Sequence, residues 1–242
     1  MRPLIVIHRG ISGHRSVAAT QAQLGGVASF LEVDLDVSKD GVVFVLHDPR
    51  VKLFIIREPY LLKKGKIKKK AHQLLFSEIQ ELFPSAIKFS ELIKEIPPSQ
   101  LLCELKSYTA YKGVIHILHR MHPEVFHMLR FISFSMRALA EVKNIDPRIY
   151  CSYIATSAGD DKRFHFTVRG RHIRECVVHG IEEISGHWLA FRPKAITAAH
   201  QAGLKVGIGQ LNTRRAIHYA EKNGVEVWYT DDVKYVEKDI DL

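Results

Sequence analysis

The sequence predicts a (β/α)8 TIM-type barrel, and three observations favour that fold class. Short β-branched runs alternate with helical stretches along the chain, a pattern typical of parallel strands joined by helices. The length of 242 residues suits a single α/β barrel. The composition, 46% hydrophobic and 25% charged, is that of a globular domain with a full core. We therefore expect one barrel domain over residues 1–242, with a short insert after the second strand region at about residues 50–75.

The predicted elements follow each other in the order that a barrel requires. Eight candidate strands lie near Leu4–His8, Phe30–Asp34, Leu101–Lys106, Leu129–Phe134, Ile149–Ile154, Cys176–Gly180, Leu204–Ile208 and Val225–Thr230. An extra hairpin arm, Val42–Leu46, follows the turn Lys39-Asp40-Gly41. Helical patterns between the strands include Tyr111–His122, Met136–Lys143, Pro193–Gln201 and Arg214–Asn223. The polar stretch Ser157–Arg174 receives no assignment.

Apolar runs and cysteines exclude several classes of protein. The longest apolar stretches, such as Pro3–Ile7 and Gly41–Leu46, are far shorter than the ~20 residues of a membrane span. The first residues leave no room for a signal peptide, so we expect a cytoplasmic protein. Three cysteines are widely spaced and set in apolar surroundings, and we expect buried reduced thiols at Cys103, Cys151 and Cys176.

The charge balance favours anionic ligands. Lys and Arg outnumber Asp and Glu by 35 to 26, a formal net charge of +9. Six lysines follow the apolar stretch Val51–Leu62: Lys63, Lys64, Lys66, Lys68, Lys69 and Lys70. Such a block is typical of a solvated loop. The alternative is a contact with an anion or a membrane surface, because the insert follows a candidate catalytic residue, His47. With no recognisable binding motif, we expect no nucleic-acid partner.

Polar residues at the ends of three predicted strands point to a functional site. His8 and Arg9 end the first strand, Glu32-x-Asp34 lies on the second, and Glu104-x-Lys106 ends the third. Residues two apart on a strand face the same side, so each pair points in one direction. The carboxyl ends of barrel strands meet at one rim, where active sites are built. We therefore expect these side chains to lie close together.

Three carboxylates in one place predict a metal site. Glu32 and Asp34 repel each other, and Glu104 from the neighbouring strand adds to the repulsion unless a cation or protons compensate it. A hard divalent ion with oxygen ligands is the simplest compensation. Mg²⁺ or Ca²⁺ suits this set best, because zinc sites usually include more His or Cys ligands.

Two histidines and two cations complete the predicted chemistry. His8 and His47 follow strands that flank the acids, and an imidazole can take or give a proton near neutral pH. A pair of imidazoles beside a metal-bound phosphate is a complete set for acid and base catalysis. Arg9 and Lys106 would add fixed positive charge against the phosphoryl oxygens and so bind the substrate phosphate.

These residues belong to an ordered series of motifs that covers nearly the whole chain. The series comprises His8-Arg9-Gly10, Leu31-Glu32-Val33-Asp34, Ser38-Lys39-Asp40-Gly41, His47-Asp48, Cys103-Glu104-Leu105-Lys106, Ile132-Ser133-Phe134, Ala138-Leu139, Gly203-Leu204-Lys205-Val206, Gly224-Val225 and Thr230-Asp231. Each motif alone is weak, but in this order they resemble the glycerophosphodiester phosphodiesterases. The resemblance covers the acids, both histidines and the closing strand.

The resemblance implies a TIM-type barrel that binds one Mg²⁺ or Ca²⁺ ion on Glu32, Asp34 and Glu104. It implies that a glycerophosphodiester is hydrolysed to an alcohol and glycerol 3-phosphate, often through a cyclic phosphate. In that scheme His8, or the metal with its hydroxyl, assists the nucleophile while His47 serves the leaving oxygen. The sequence leaves open which histidine is the acid and which the base, and also the oligomeric state.

Three departures from the family pattern concern the substrate. The usual Pro-Glu-Asn-Thr turn is absent, and the stretch that replaces it, His14–Ala19, belongs to a segment about three residues short. After His47 the usual polar Arg-Thr-Thr stretch becomes apolar Val51–Ile56, which suits an acyl chain, a membrane surface or a lid packed on the barrel. A Trp-Thr-Val-Asn pattern becomes Gly209-Gln210-Leu211-Asn212 and loses its aromatic residue.

Two other functions remain open at this point. The first alternative is a lysophospholipase D or sphingomyelinase D function, because those relatives resemble this family and share two histidines and acidic metal ligands. They tend to carry Asp in place of Glu104. A barrel that binds phosphate esters without turnover is the second alternative, because the substrate-side motifs are altered. Loss of catalysis usually removes a metal ligand or an acid/base residue, and all five are present.

Overall fold

Eight parallel strands of the chain close into a barrel. The computed structural model describes residues 2–8, 24, 26–46, 61–64, 67–105, 111–155 and 167–237. Strands in this part are β1 (Leu4–Ile7), β2 (Phe30–Val37), β3 (Val43–Val45), β4 (Leu61–Lys64), β5 (Ile67–Lys70), β6 (Ile87–Lys88), β7 (Leu101–Leu105), β8 (Arg130–Ser133), β9 (Cys151–Ile154), β10 (Glu183–His187), β11 (Lys205–Gly209) and β12 (Val227–Thr230). The barrel order is β1-β2-β7-β8-β9-β10-β11-β12, which confirms the predicted (β/α)8 class.

The first strand closes the barrel because it pairs on both edges. Ile7 of β1 lies in parallel register with Leu31 of β2 on one side and with Thr230 of β12 on the other. Strand β2 extends past the barrel, and its last residues pair antiparallel with β3. This extension confirms the predicted hairpin arm after the Lys39-Asp40-Gly41 turn. Gly41 has a φ of 78°, a conformation that glycine adopts without steric cost.

Helices lie between the barrel strands and pack on their outer face. They are α1 (Phe76–Leu82), α2 (Phe89–Glu95), α3 (Tyr111–Met121), α4 (Pro123–Met128), α5 (Met136–Ile145), α6 (Gly170–Val178), α7 (Pro193–Gln201), α8 (Arg214–Lys222) and α9 (Val233–Glu237). Helices α5 and α8 begin at side-chain caps, where Ser135 and Thr213 accept hydrogen bonds from backbone amides three residues later. None of the helices in the described ranges is long and apolar enough to cross a membrane.

The predicted sixth strand, Cys176–Gly180, is wrong. Cys176 lies in helix α6, and the strand at this point in the barrel is β10, Glu183–His187. The β-branched pair Val177 and Val178 suggested a strand, but both side chains are exposed, while Cys176 is buried on the inner face of the helix. Strand β10 reads Glu-Ile-Ser-Gly-His, so it lacks the apolar signature from which strands are predicted.

The lysine-rich segment forms a β-hairpin and not the expected loop. Strands β4 and β5 pair antiparallel as a separate two-stranded sheet, with Lys63 opposite Lys68. Beyond the hairpin, α1 packs on β3 through a second apolar cluster that includes Phe44, Phe76 and Ile79. This region therefore has a small core of its own beside the barrel.

The three cysteines are buried and free, as predicted. Burial raises the pKa of the Cys151 and Cys176 thiols to about 12 and raises that of Cys103 further still. At neutral pH these thiols are therefore protonated and unreactive.

A buried, hydrogen-bonded carboxylate lies inside the barrel, toward the amino ends of the strands. Glu183 of β10 accepts hydrogen bonds from the hydroxyls of Tyr150 (2.8 Å), Ser152 (2.9 Å) and Tyr229 (2.8 Å). Burial raises the pKa of Glu183, and these donors act in the opposite direction. Between Glu183 and Tyr229 lies Gly207 of β11, where a Cβ atom would stand 2.2 Å from Glu183 Oε1 and 2.9 Å from Tyr229 Cε2. The hydrogen-bonded set therefore requires glycine at this position.

We expect Gly207→Ala to destabilise the barrel by roughly 1–3 kcal/mol, because the methyl group displaces Glu183 or Tyr229 from a packed interior. Urea unfolding followed by circular dichroism measures the change. Gly170→Ala is the matched control, since a Cβ at Gly170 meets no atom within 4 Å. Equal unfolding free energies for Gly207→Ala and the wild type would show that the interior can accommodate the methyl group.

Candidate active site

Three carboxylates meet at the carboxyl end of β2 and β7. Glu32 and Asp34 lie two residues apart on β2 and share its inner face. The parallel register places Asp34 beside Glu104 of β7. Their relative exposures are 2% for Glu32, 5% for Asp34 and 4% for Glu104. One oxygen of each carboxylate lies within 4.8 Å of the others, so the predicted convergence of these three acids is confirmed.

The chemistry of this set suits a divalent cation. Three negative charges at this separation and burial repel strongly unless a cation or protons compensate them. Among the described residues, Glu32 Oε1, Asp34 Oδ1 and Glu104 Oε1 accept no hydrogen bond, although each side chain makes other interactions. The candidate metal ligands are all carboxylate oxygens, which Mg²⁺ and Ca²⁺ prefer. Structural zinc sites typically use sulfur and nitrogen ligands instead.

His8 lies at the same rim, directly after β1. Its backbone amide donates to the carbonyl of Thr230 (2.8 Å), which continues the β1–β12 ladder by one step. Because Ile7 pairs with Leu31 on β2, His8 comes level with Glu32 at the carboxyl rim. Its Nδ1 atom lies 2.7 Å from Asp231 Oδ1, and the His8 side chain is 20% exposed. The structure thus brings one predicted catalytic histidine to the acidic cluster.

Asp231 and Asn212 are site residues that sequence reasoning did not assign. Asp231 follows β12 and contacts His8, and the amide of Asn212 donates a hydrogen bond to Asp231 Oδ2. Asp231 belongs to the closing motif of the family resemblance, and Asn212 is the residue that the altered segment Gly209-Gln210-Leu211-Asn212 keeps from the family pattern. These two matches were the available signal. Nothing local in the sequence shows that they meet, because His8 and Asp231 are 223 positions apart.

Three predicted site residues, Arg9, His47 and Lys106, lie outside the described residues. The Leu46 amide, one position before His47, donates to the backbone carbonyl of Asp34 (3.3 Å). Leu46 therefore lies beside Asp34, one of the three acids of the cluster. The phosphate-binding roles of Arg9 and Lys106 and the catalytic role of His47 stay predictions.

A fourth carboxyl group continues the inner face of β2 beyond the cluster. Asp36 lies two residues after Asp34, and burial raises its pKa to about 7, against the lowering effect of the Val37 amide (2.8 Å). Asp36 is therefore only partly ionised at neutral pH. Asp36 therefore adds less negative charge near the acidic cluster than a fully ionised aspartate would.

The remaining histidines of the described ranges are mostly surface residues. His127 pairs with Asp146 (2.9 Å) and His200 with Glu226 (3.0 Å). His172 is an exception, because it is buried in α6 with 2% exposure and accepts a hydrogen bond from the Arg169 amide (3.2 Å).

The closed barrel and the acidic cluster beside His8 place the chain among the TIM-barrel enzymes. A family model, the Glycerophosphoryl diester phosphodiesterase family, matches residues 8–235. The chain belongs to this family and is a glycerophosphodiester phosphodiesterase. No curated protein matches the sequence of the chain.

Solved structures of other phosphodiesterases have a similar fold. An Oleispira antarctica phosphodiesterase in complex with the product sn-glycerol-3-phosphate is 18% identical, with a TM-score of 0.73 over 100% of this chain and 98% of that chain. Glycerophosphodiester phosphodiesterases from Thermotoga maritima (17% identical, TM-score 0.71, 98% of each chain) and Parabacteroides distasonis (16%, 0.73, 98% of this chain and 97% of that chain) are also similar. At these identities the likeness shows the fold.

We expect Glu104→Gln to weaken Mg²⁺ or Ca²⁺ binding by at least about tenfold, because it removes one ligand charge while keeping the side-chain shape. Isothermal titration calorimetry on metal-stripped protein measures this affinity. Glu91→Gln makes the same charge change on the surface of α2, where the side chain is 51% exposed, and should bind metal like the wild type. An unchanged dissociation constant for Glu104→Gln would contradict the assignment of Glu104 as a ligand.

Proposed function

We propose that the chain hydrolyses glycerophosphodiesters to an alcohol and glycerol 3-phosphate in a reaction that depends on one divalent cation, with His8 and His47 as acid and base. The observation that carries this proposal is the buried carboxylate set of Glu32, Asp34 and Glu104 at the rim where His8 lies. The proposal includes one phosphodiesterase barrel domain over residues 1–242, with an insert at about residues 50–75.

Glu32, Asp34 and Glu104 would hold the cation, Mg²⁺ or Ca²⁺. When bound, the ion neutralises charge on the phosphoryl oxygens of the substrate. The carboxylates need this positive charge for their own stability, because three buried anions repel each other. The same arrangement thus stabilises the site and creates a binding place for an anionic phosphodiester.

The protein residues handle the protons. As the new P–O bond forms, the attacking hydroxyl, from water or from the glycerol moiety, loses its proton to one imidazole. The P–O bond to the leaving alcohol breaks, and the other imidazole protonates the leaving oxygen. When the glycerol hydroxyl attacks, the product of this step is a cyclic phosphate, and a water molecule then opens it to glycerol 3-phosphate with the same two imidazoles as base and acid. His8 and His47 fill these two roles in the proposal. Arg9 and Lys106 would contribute fixed positive charge to the phosphate, as the sequence predicts.

The glycerol side of the substrate is supported by family membership and by the Oleispira antarctica phosphodiesterase that holds sn-glycerol-3-phosphate. A lysophospholipase D-like activity and a barrel that binds without turnover are the alternatives from the sequence. No described contact favours either of them. Both are distinct outcomes of the experiment that follows.

The test is release of glycerol 3-phosphate from glycerophosphocholine by EDTA-stripped protein, with and without added Mg²⁺ or Ca²⁺. We expect release only when metal is restored, because the acidic cluster needs a cation to receive an anionic substrate. Cleavage of lysophosphatidylcholine in place of glycerophosphocholine would transfer the chain to the lysophospholipase D alternative. Binding of glycerol 3-phosphate without turnover of any diester would favour the non-catalytic alternative.

Two variants separate proton transfer from metal binding in the same assay. His8→Ala and His47→Ala should each reduce turnover about 10²- to 10⁴-fold while leaving metal affinity close to that of the wild type. His116→Ala, an exposed histidine on α3, is the matched control and should retain full activity. Ordinary turnover in His47→Ala would refute its role.

We also propose that the lysine hairpin, defined as β4 and β5, contacts an anionic phospholipid surface. Five of its eight residues are lysines, and the register opposes Lys63 to Lys68. Five lysines in so short a segment concentrate positive charge, and basic clusters of this size bind anionic phospholipid surfaces. The hairpin leads to Leu74, whose carbonyl accepts from the Lys39 amide (2.7 Å) beyond β2. The segment that follows the hairpin is therefore bound next to the carboxyl end of β2, the strand that carries Asp34. A cytoplasmic location stays a prediction.

Co-sedimentation with vesicles tests this contact. Replacing Lys63, Lys64, Lys68, Lys69 and Lys70 with Ser should abolish binding to vesicles that contain phosphatidylserine, since each lysine near such a surface contributes about 1 kcal/mol. The control replaces five exposed lysines elsewhere: Lys94, Lys112, Lys194, Lys222 and Lys234. Equal binding by the two variants would contradict a specific contact, and so would equal binding of the wild type to phosphatidylcholine vesicles.

A further inference from the structure

Asp231 and Asn212 form a hydrogen-bonded chain that ends on His8. We propose that they are positioning residues, which fix the tautomer and the ring orientation of His8 so that Nε2 is the nitrogen that exchanges protons with the substrate. The inference rests on the proposed function for its kinetic consequence. The geometry of the chain itself is independent of that function.

The contact between Asp231 and His8 determines the tautomer. Asp231 Oδ1 lies 2.7 Å from His8 Nδ1, and an ionised carboxylate can only accept a hydrogen bond. Nδ1 must therefore carry a proton. In the neutral ring this leaves the lone pair on Nε2, the nitrogen that is not engaged by Asp231. A carboxylate at Nδ1 also offsets the positive charge of the ring when Nε2 is protonated.

Asn212 holds the carboxylate in place. Its Oδ1 atom accepts the backbone amide of Asp231 (2.9 Å) and the hydroxyl of Thr230 (3.0 Å). Because the Asp231 backbone amide can only donate, the Asn212 oxygen must lie on that side. The Nδ2 amide is therefore directed at the Asp231 carboxylate and donates to Oδ2. Each oxygen of Asp231 thus has a fixed partner, His8 at Oδ1 and Asn212 at Oδ2. The carboxylate can then neither rotate nor exchange its oxygens without breaking a bond.

The backbone supports this arrangement from the buried side. Leu211 is fully buried, and its amide donates to the carbonyl of Tyr229 (2.8 Å), which fixes the segment before Asn212 against β12. Thr230 is also fully buried. The side chains of His8 and Asp231 are 20% and 40% exposed, so water can compete for their hydrogen bond. The buried anchor behind Asn212 is what keeps a partly exposed pair in one geometry.

Other histidine–carboxylate pairs in the described ranges have different surroundings. Asp146 beside His127 also binds Arg148 through two guanidinium nitrogens (2.9 Å each), and Glu226 beside His200 accepts the Val206 amide (3.0 Å). Within those ranges, the pair at His8 is the one that lies level with Glu32 at the carboxyl rim. Its position links it to the chemistry, while the others stabilise the outer layer.

The first test reads the tautomer directly, in metal-free protein and without substrate. In ¹⁵N NMR spectra of histidine-labelled protein at a pH where His8 is neutral, we expect the Nδ1–H tautomer at His8. In Asp231→Asn the preference should be lost, because an amide can present either a donor or an acceptor to Nδ1. A wild-type spectrum with the Nε2–H tautomer, or an unchanged spectrum in Asp231→Asn, would overturn the inference whatever the protein hydrolyses.

The second test is kinetic. Asp231→Asn should lower kcat about 10²- to 10⁴-fold with less than about a threefold change in KM, because the residue acts on proton transfer and not on binding. Asn212→Ala should lower kcat about tenfold on its own and less than about twofold in the Asp231→Asn background. Multiplying effects in the double variant would show that Asn212 does not act through Asp231.

The matched control is Asp232→Asn, which makes the same charge change one residue away. Asp232 accepts the Lys234 amide (3.1 Å) at the start of α9, and Asn can cap the helix in the same way. Its kcat should stay within about twofold of the wild type. If Asp231→Asn fails to fold, the spectrum and kcat of Asn212→Ala decide the outcome. If the wild type hydrolyses no diester, the proposed function fails and the NMR result still tests the positioning.

Discussion

The repulsion among three buried carboxylates is the constraint on which the site depends. Asp34 and Glu104 are adjacent because their strands are neighbours in the barrel, and Glu32 joins them because residues two apart share one face of a strand. Burial removes the water that would screen their charges. A fold that places these groups together can be stable only if positive charge or protons enter the site. The need for compensation therefore links the stability of the rim to its capacity to bind a cation and, with it, an anionic substrate.

The opposite end of the barrel solves a similar problem without an ion. Glu183 is also buried, but the hydroxyls of Tyr150, Ser152 and Tyr229 donate to it, and Gly207 leaves the space for the arrangement. One carboxylate surrounded by neutral donors is a structural element, because its hydrogen bonds compensate burial. Three carboxylates within 4.8 Å are a different case, since hydroxyl donors do not remove their mutual repulsion. The buried carboxylate at the amino end of the barrel thus stabilises the fold, while the three carboxylates at the carboxyl end form the candidate metal site.

Much of the fold and the acidic cluster could be predicted, because both depend on local patterns. Alternation of strands and helices predicts the barrel, and strand periodicity predicts which acids share a face. Strand β10 could not be predicted, because its sequence does not look like that of a strand. Its inner residues are the polar Glu183 and Ser185, and it ends with Gly186 and His187. The role of Asp231 could not be predicted either, because its contact with His8 exists only after β1 and β12 have paired. Contacts that depend on the pairing of distant strands thus cannot be predicted from local sequence patterns.

Barrel closure is therefore a condition for the geometry of His8 as well as for the fold. His8 follows the first strand, Asp231 follows the last, and Asn212 comes from the turn between β11 and α8. Each of these segments is held by backbone hydrogen bonds to its neighbour, at Thr230 for His8 and at Tyr229 for Leu211. The metal ligands, in contrast, come from β2 and β7, which form their own part of the wall. The cation site and the oriented histidine thus rest on different strand pairs, and only the closed barrel places them at one rim.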